Sequence, residues 1–135
     1  VGKENYFYTK LQEKINALNG VVYTGFVPDE ELVPLYKKAK LYVFPSLYEG
    51  FGIPPLEAMQ YGIPVVSSST TCLPEVLGGA AIYFDSLNTR GIAEAIHRGL
   101  DDIGARYAVK EEAKILLQKY SWSKLACETV RVYEK

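Results

Sequence analysis

Residues 45–66 read PSLYEGFGIPPLEAMQYGIPVV, and the order of residue types in this stretch decides the architecture. It closes a buried strand at Pro45, turns through two glycines, enters a helix through Pro54 and Pro55, stops at Gly62 and opens the next strand at Pro64. Gly50 and Gly52 lack a Cβ, so the turn can take left-handed dihedrals and let a ligand approach the main chain closely. A proline in the first helical turn breaks no intrahelical bond, and its fixed φ suits the helix. A helix over Ile53–Gln60 therefore follows the turn. Glu49 falls in the turn and Glu57 in the opening turn of the helix, so both carboxylates can face one crevice.

The chemistry of that entry is specific. A helix N-terminus presents free N–H groups and about half a positive charge, which makes it a natural seat for phosphate. Neither proline offers an N–H, so an anion here has Gly52 or Ile53 on one side and Leu56 or Glu57 on the other. A hydroxyl-rich group beside the phosphate finds two carboxylates to accept its hydrogen bonds. Phosphate beside sugar, twice over, describes a nucleotide sugar. Taken singly, Glu57 could merely complement the helix dipole and Glu49 could be a solvated loop charge.

Outward from this stretch, strands alternate with helices. Apolar residues at Phe7, Leu11, Ile15 and Leu18 recur at helical spacing over Tyr6–Leu18, and Asn19-Gly20 supplies a stop. Val21–Thr24 reads as a short β-branched strand. Gly25–Asp29 is a turn into a second helix, with Asp29 as its cap and Leu32, Leu35, Tyr36 and Ala39 as a core-facing stripe. Leu41–Phe44 is a strand without polar alternation, as expected of a sheet covered on both faces. Pro64–Ser67 is the next strand, and the polar loop Ser67–Glu75 follows it. There Thr70 and Thr71 are the best placed to touch phosphate or sugar, as is Ser46 after the preceding strand, although hydroxyls also settle local backbone groups in loops. A short helix at Glu75–Leu77 and a strand at Ala80–Phe84 precede an amphipathic helix with Ile92, Ala93, Ala95 and Ile96 inward. Its neighbour His97 reads as a surface residue. Gly104–Lys119 is helical, and Ser121 caps a last helix from Trp122 to about Tyr133. Trp122 is most simply a core anchor, and the alternative is that Trp122 and Tyr133 mark a surface for a missing partner. With a strand tail at Val1, this pattern predicts a Rossmann-like, doubly wound parallel sheet.

The 135 residues fit one domain, with 48% hydrophobic and 23% charged residues, an ordinary globular balance. A formal net charge of −1 gives no basic field for nucleic acid. No apolar run approaches the ~20 residues a bilayer span requires. Cys72 and Cys127 make neither a metal-type spacing nor a disulfide framework, so a cytoplasmic location is the default.

The ordered set Glu49-Gly50-Phe51-Gly52, Leu56-Glu57-Ala58-Met59 and Gly62-Ile63-Pro64-Val65-Val66 resembles the Glu-x7-Glu signature and following strand of glycosyltransferase family 4. Leu73-Pro74-Glu75-Val76, Ala80–Asp85 and Tyr23–Val27 extend the likeness, which covers roughly Val1 to Asp102. The resemblance implies a retaining, metal-independent enzyme of the GT-B fold, of which this chain is the C-terminal, donor-binding domain. It implies that Glu57 holds the ribose hydroxyls and Glu49 the hydroxyls of the transferred sugar, as the catalytic carboxylate. It also has the main chain of Gly50, Phe51 and Gly52 position the hexose, and main-chain groups of Val27 meet the nucleobase edge. The donor is a nucleotide-diphosphate sugar, with no other cofactor, and the hexose leans to mannose. The acceptor, a glycan or a lipid-linked glycan, belongs to an N-terminal domain that is absent, as is the first strand-helix unit with its diphosphate-binding cations. Lys3 does not match that motif. Such a fragment is expected to bind its donor weakly and to transfer nothing alone, and the full enzyme could associate peripherally with the inner face of a membrane. Two alternatives remain at this stage: a nucleotide-sugar epimerase or hydrolase on the same fold, and a non-catalytic nucleotide-sugar-binding module.

Overall fold

The computed structural model describes residues 6–134 and divides the chain into two units, residues 1–36 and 37–135. The expected strand tail at Val1, and Lys3, lie outside the described residues.

In the first unit, helix α1 (Tyr6–Asn16) begins where the periodicity places it but ends two residues before Leu18, and Gly20 takes a left-handed φ of 84° after its end. Of its apolar stripe, Leu11 and Leu18 are exposed and Ile15 is half-buried. Residues 21–24 join no ladder among the described residues, contrary to the expected strand. Their β-branched side chains favour extended backbone, but a strand exists only through hydrogen bonds to a neighbour. Tyr8 and Tyr23 stack with ring centroids 3.9 Å apart.

Helix α2 (Asp29–Lys38) starts one residue earlier than a capping role for Asp29 requires. The Pro28 carbonyl accepts from the N–H groups of Glu31 and Leu32, so Asp29, Glu30 and Glu31 act through the dipole of the first turn. None of its residues is buried, and Leu35 and Ala39 are exposed. Apolar spacing defines a face, but only a covering surface buries it.

In the second unit, β1 (Tyr42–Phe44), β2 (Val65–Ser68) and β3 (Ala81–Phe84) form a parallel sheet in the order β1-β2-β3. Val43, Val66 and Ile82 share one register row, and Tyr42, Val65 and Ala81 the next. Adjacent residues of a strand face opposite sides. Because Val65 and Val66 are both fully buried, β2 is covered on both faces, as the run of apolar residues predicts. One face packs Val66, Ile82 and Phe84 against Ala95 of α5 (Thr89–Asp101) and Val109 of α6 (Ile103–Leu117), with Leu41, Ile92 and Ile96 at the margin. Ala93, expected inward, is exposed. The face turns instead through Gly99, where an added Cβ would lie 2.6 Å from Leu41 Cδ1 and 3.1 Å from Val66 Cγ1.

Helix α3 (Ile53–Gln60) has the predicted limits. Gly52 caps it at φ 88°, the prolines lie in its first turn, and its end is a Schellman motif. There Gly62, at φ 69°, donates to the Met59 carbonyl at 2.9 Å, and Ile63 donates to that of Ala58 at 3.3 Å. Helix α4 (Leu73–Leu77) begins two residues before the expected start and runs into a 3₁₀ turn at Gly78–Ala80. Asn88 and Asp102 cap α5 and α6 through Gly91 and Ala105. Ser121 caps α7 (Trp122–Tyr133) as predicted, through Lys124 at 3.4 Å. Trp122 is not a core anchor. It is 80% exposed, and no residue of α7 is buried.

Candidate functional site

The carboxyl ends of β1, β2 and β3 deliver three loops to one edge of the sheet, where ligands of open α/β folds bind. The loop after β1 carries Ser46, Glu49 and Gly50 and ends at Gly52, the α3 cap. Only Gly52 of the two turn glycines uses the left-handed region. A Cβ there would come within 2.5 Å of the buried Leu73 Cδ2, so side-chain absence is needed twice over, for conformation and for space.

Helical geometry narrows the anion donors. In a helix starting at Ile53, the amides of Leu56 and Glu57 have their i−4 acceptors at Gly52 and Ile53. Pro54 and Pro55 have no N–H, so Gly52 and Ile53 are the donors the helix itself leaves unused.

Glu57 stands just past the first turn of α3, not in the opening turn as expected, because the helix starts at Ile53; it is exposed and opens onto a cleft of about 740 Å³. Phe51, Ile53, Leu56, Glu57 and Gln60 line one side of it. Lys119, Tyr120, Trp122, Lys124, Leu125 and Glu128 line the other. Tyr120 donates to the Val76 carbonyl at 3.1 Å, and the Phe51 ring meets it edge-on at 5.4 Å, so the α6–α7 junction is anchored against the turn. Glu49 lies outside this lining. It is half-buried, its N–H donating to Thr71 Oγ1 at 3.3 Å and its carbonyl accepting from Cys72 Sγ at 3.2 Å.

The hydroxyls form a second group. Ser68 Oγ donates to the Ser46 carbonyl at 2.6 Å, and Thr70 Oγ1 donates to the same carbonyl at 3.1 Å. Ser46 and Thr70 are thus brought together, with the fully buried Ser68 between them, and Thr71 stands with Glu49. Ser86, after β3, has a buried Oγ with no hydrogen-bond partner among the described residues. Val27 lies in the other unit with its side chain buried. His97 is an exposed residue of α5 facing Asp101 at 3.5 Å, as its sequence position implies.

Ser68, Cys72, Gln60 and, on α7, Lys124, Leu125 and Glu128 carry no site role in the sequence pattern, in which Trp122 reads as a core anchor or part of a partner surface. Ser68 and Cys72 acquire their places through partners more than twenty residues away, and no local pattern marks such a pairing.

Parallel strands, the central one covered on both faces, with a glycine-capped, proline-led helix at their carboxyl edge, define a Rossmann-like α/β domain. Residues 1–116 match the family model of the group 1 glycosyl transferases, and the chain belongs to that family. It is 37% identical over 133 residues to O-antigen chain mannosyltransferase B of Escherichia coli, covering 98% of this chain and 35% of that protein. Serotype-specific mannosyltransferase WbdA of Escherichia coli is 40% identical over 106 residues, 78% of this chain and 13% of its own length. The chain therefore spans about a third or less of these relatives. Among solved structures, sucrose-phosphate synthase from Thermosynechococcus elongatus superposes with a TM-score of 0.79 at 26% identity, over 95% of this chain and 33% of that one. Anabaena HepE, solved with UDP and glucose, superposes at 0.84 and 19% identity, over 98% and 39%. These neighbours share the GT-B glycosyltransferase fold.

Proposed function

We propose that this chain is the donor-binding domain of a retaining, metal-independent hexosyltransferase that moves a sugar from a nucleotide-diphosphate donor to a glycan or lipid-linked acceptor. Mannose is the hexose favoured by the names of the O-antigen relatives. The observation that carries this reading is Glu57, just past the first turn of α3 and open to the cleft, inside a chain of this family.

In this reading Glu57 accepts from the ribose hydroxyls and Glu49 from the hydroxyls of the transferred sugar. As the glycosidic bond breaks toward an oxocarbenium-like state, the leaving diphosphate gathers negative charge. The Gly52 and Ile53 amides and the α3 dipole stabilise that charge without reorganising. The main chain of Gly50 and Phe51 lies beside the hexose, and the leaving phosphate assists attack from its own face of the sugar. The acceptor and the remaining diphosphate contacts come from the part of the relatives' length that this chain does not span. A cytoplasmic location, with peripheral association at the inner face of a membrane, belongs to the same proposal.

Titration calorimetry with UDP, GDP and ADP tests it. One of the three should bind the chain, and Glu57→Ala should weaken that nucleotide by about 1–3 kcal/mol, because ribose hydroxyls lose their acceptor. Unchanged affinity in the variant would refute the ribose role and with it the reading.

A further inference from the structure

The loops after β1 and β2 are sewn together at two points. The first is the Ser46 carbonyl, which takes hydrogen bonds from Ser68 Oγ and Thr70 Oγ1. The second is the Glu49 peptide, held at its N–H by Thr71 Oγ1 and at its C=O by Cys72 Sγ. A single residue thus has both main-chain polar groups engaged by consecutive side chains from another loop. Its carboxylate, by contrast, takes no hydrogen bond or ion pair from the described residues. Thr71 is also the only non-glycine among the described residues with a positive φ, 52°. For a β-branched residue that conformation is an outlier, and it persists only where the surroundings over-determine it. Here the observed surroundings are the bond to Glu49 and the start of α4 two residues on, where Leu73 donates to the Thr70 carbonyl.

We propose that Thr71, with Cys72 beside it, is a positioning residue that clamps the Glu49 peptide so that its otherwise uncommitted carboxylate is held toward the sugar of the donor. The proposal rests on the reading of Glu49 given above and adds to it the device that fixes that carboxylate. A loop glutamate left to itself samples many backbone and rotamer states, and ordering it on binding would consume part of the interaction. A clamp made before the ligand arrives removes that cost. The clamp acts on the sugar end of the donor alone, since Glu57 sits on α3 and is ordered by the helix.

Its signature is therefore a difference between two ligands. The full chain is titrated with GDP-mannose and with GDP, and in parallel with UDP-glucose and UDP, each followed by backbone amide NMR, which reads weak binding. Thr71→Val removes the hydroxyl and keeps the shape. It should weaken the sugar nucleotide about tenfold relative to the free nucleotide, with the free nucleotide held within about twofold. Thr71→Ser should restore the difference, and Glu49→Gln should produce the same selective loss, with Thr71→Val adding little on top of it. In the unsubstituted chain, slow exchange of the Glu49 amide reports the clamp directly, whether or not the valine variant folds.

Equal weakening of both ligands by Thr71→Val, or a selective loss in Glu49→Gln that Thr71→Val does not share, overturns the clamp while leaving the reading of Glu49 standing. A fast-exchanging Glu49 amide overturns it too. If Glu49→Gln itself leaves the difference between the ligands intact, the reading of Glu49 fails and the clamp falls with it.

Discussion

Gly52 carries two constraints in one position. Its φ of 88° is open to an L side chain only at roughly 1–2 kcal/mol, and the missing Cβ leaves room for Leu73, which is fully buried. Gly52→Ala should cost about 2–5 kcal/mol, the sum of that strain and of overpacking, read as a lower urea midpoint at unchanged slope. Tyr83 offers a pH-dependent counterpart. Its hydroxyl donates to the Gly78 carbonyl at 2.7 Å, and partial burial pushes the phenol up to about 12. A folded-state value above the unfolded one means that the folded chain holds its proton longer. The contribution is complete below the unfolded value near 10 and is lost as pH rises through the folded one. Phenolate absorbance should therefore show a late-titrating tyrosine that Tyr83→Phe abolishes. A variant titration superimposable on that of the parent would show that Tyr83 is not that group.

At the scale of elements, α5 lies close enough to the sheet that Gly99 is a packing device. Alanine is the better helix former by roughly 1 kcal/mol, but overpacking against Leu41 and Val66 costs roughly 1–3 kcal/mol. The second effect wins, so Gly99→Ala should destabilise. Gly104, in the first turn of α6, is the control. A Cβ there meets only Asp102 Oδ1 at 3.4 Å, so Gly104→Ala should gain up to about 1 kcal/mol. Opposite shifts in thermal midpoint are expected, and two shifts of the same sign would contradict the packing argument. Helix α3 shows how much one element can be specified locally. Its cap, prolines and Schellman end all lie within 52–63, which is why its limits are legible in the sequence to the residue.

For the whole molecule, the informative element is α7, which has a cap but no buried residue. The single tryptophan, 80% exposed on it, should emit as an indole in water and be quenched by iodide almost as readily as a free one. A blue-shifted, protected emission would show that α7 is covered in solution. Its cap and its aromatic residues Trp122 and Tyr133 were legible in the sequence, but burial needs a second surface. The same reason leaves Leu35 of α2 exposed and residues 21–24 without a ladder among the described residues.

The sequence by itself determined the alternation of strands and helices over 41–133, the proline-led helix with its glycine stop, and the two glutamates at its entry. Each is encoded in residues within one turn or one strand of each other, where dihedral preferences and capping act. Tertiary structure alone decided that Glu57 opens onto the cleft beside α7, and that the Glu49 peptide is held by Thr71 and Cys72. Contacts across twenty-two residues or more depend on how the strands register, and no local preference of the chain carries that information.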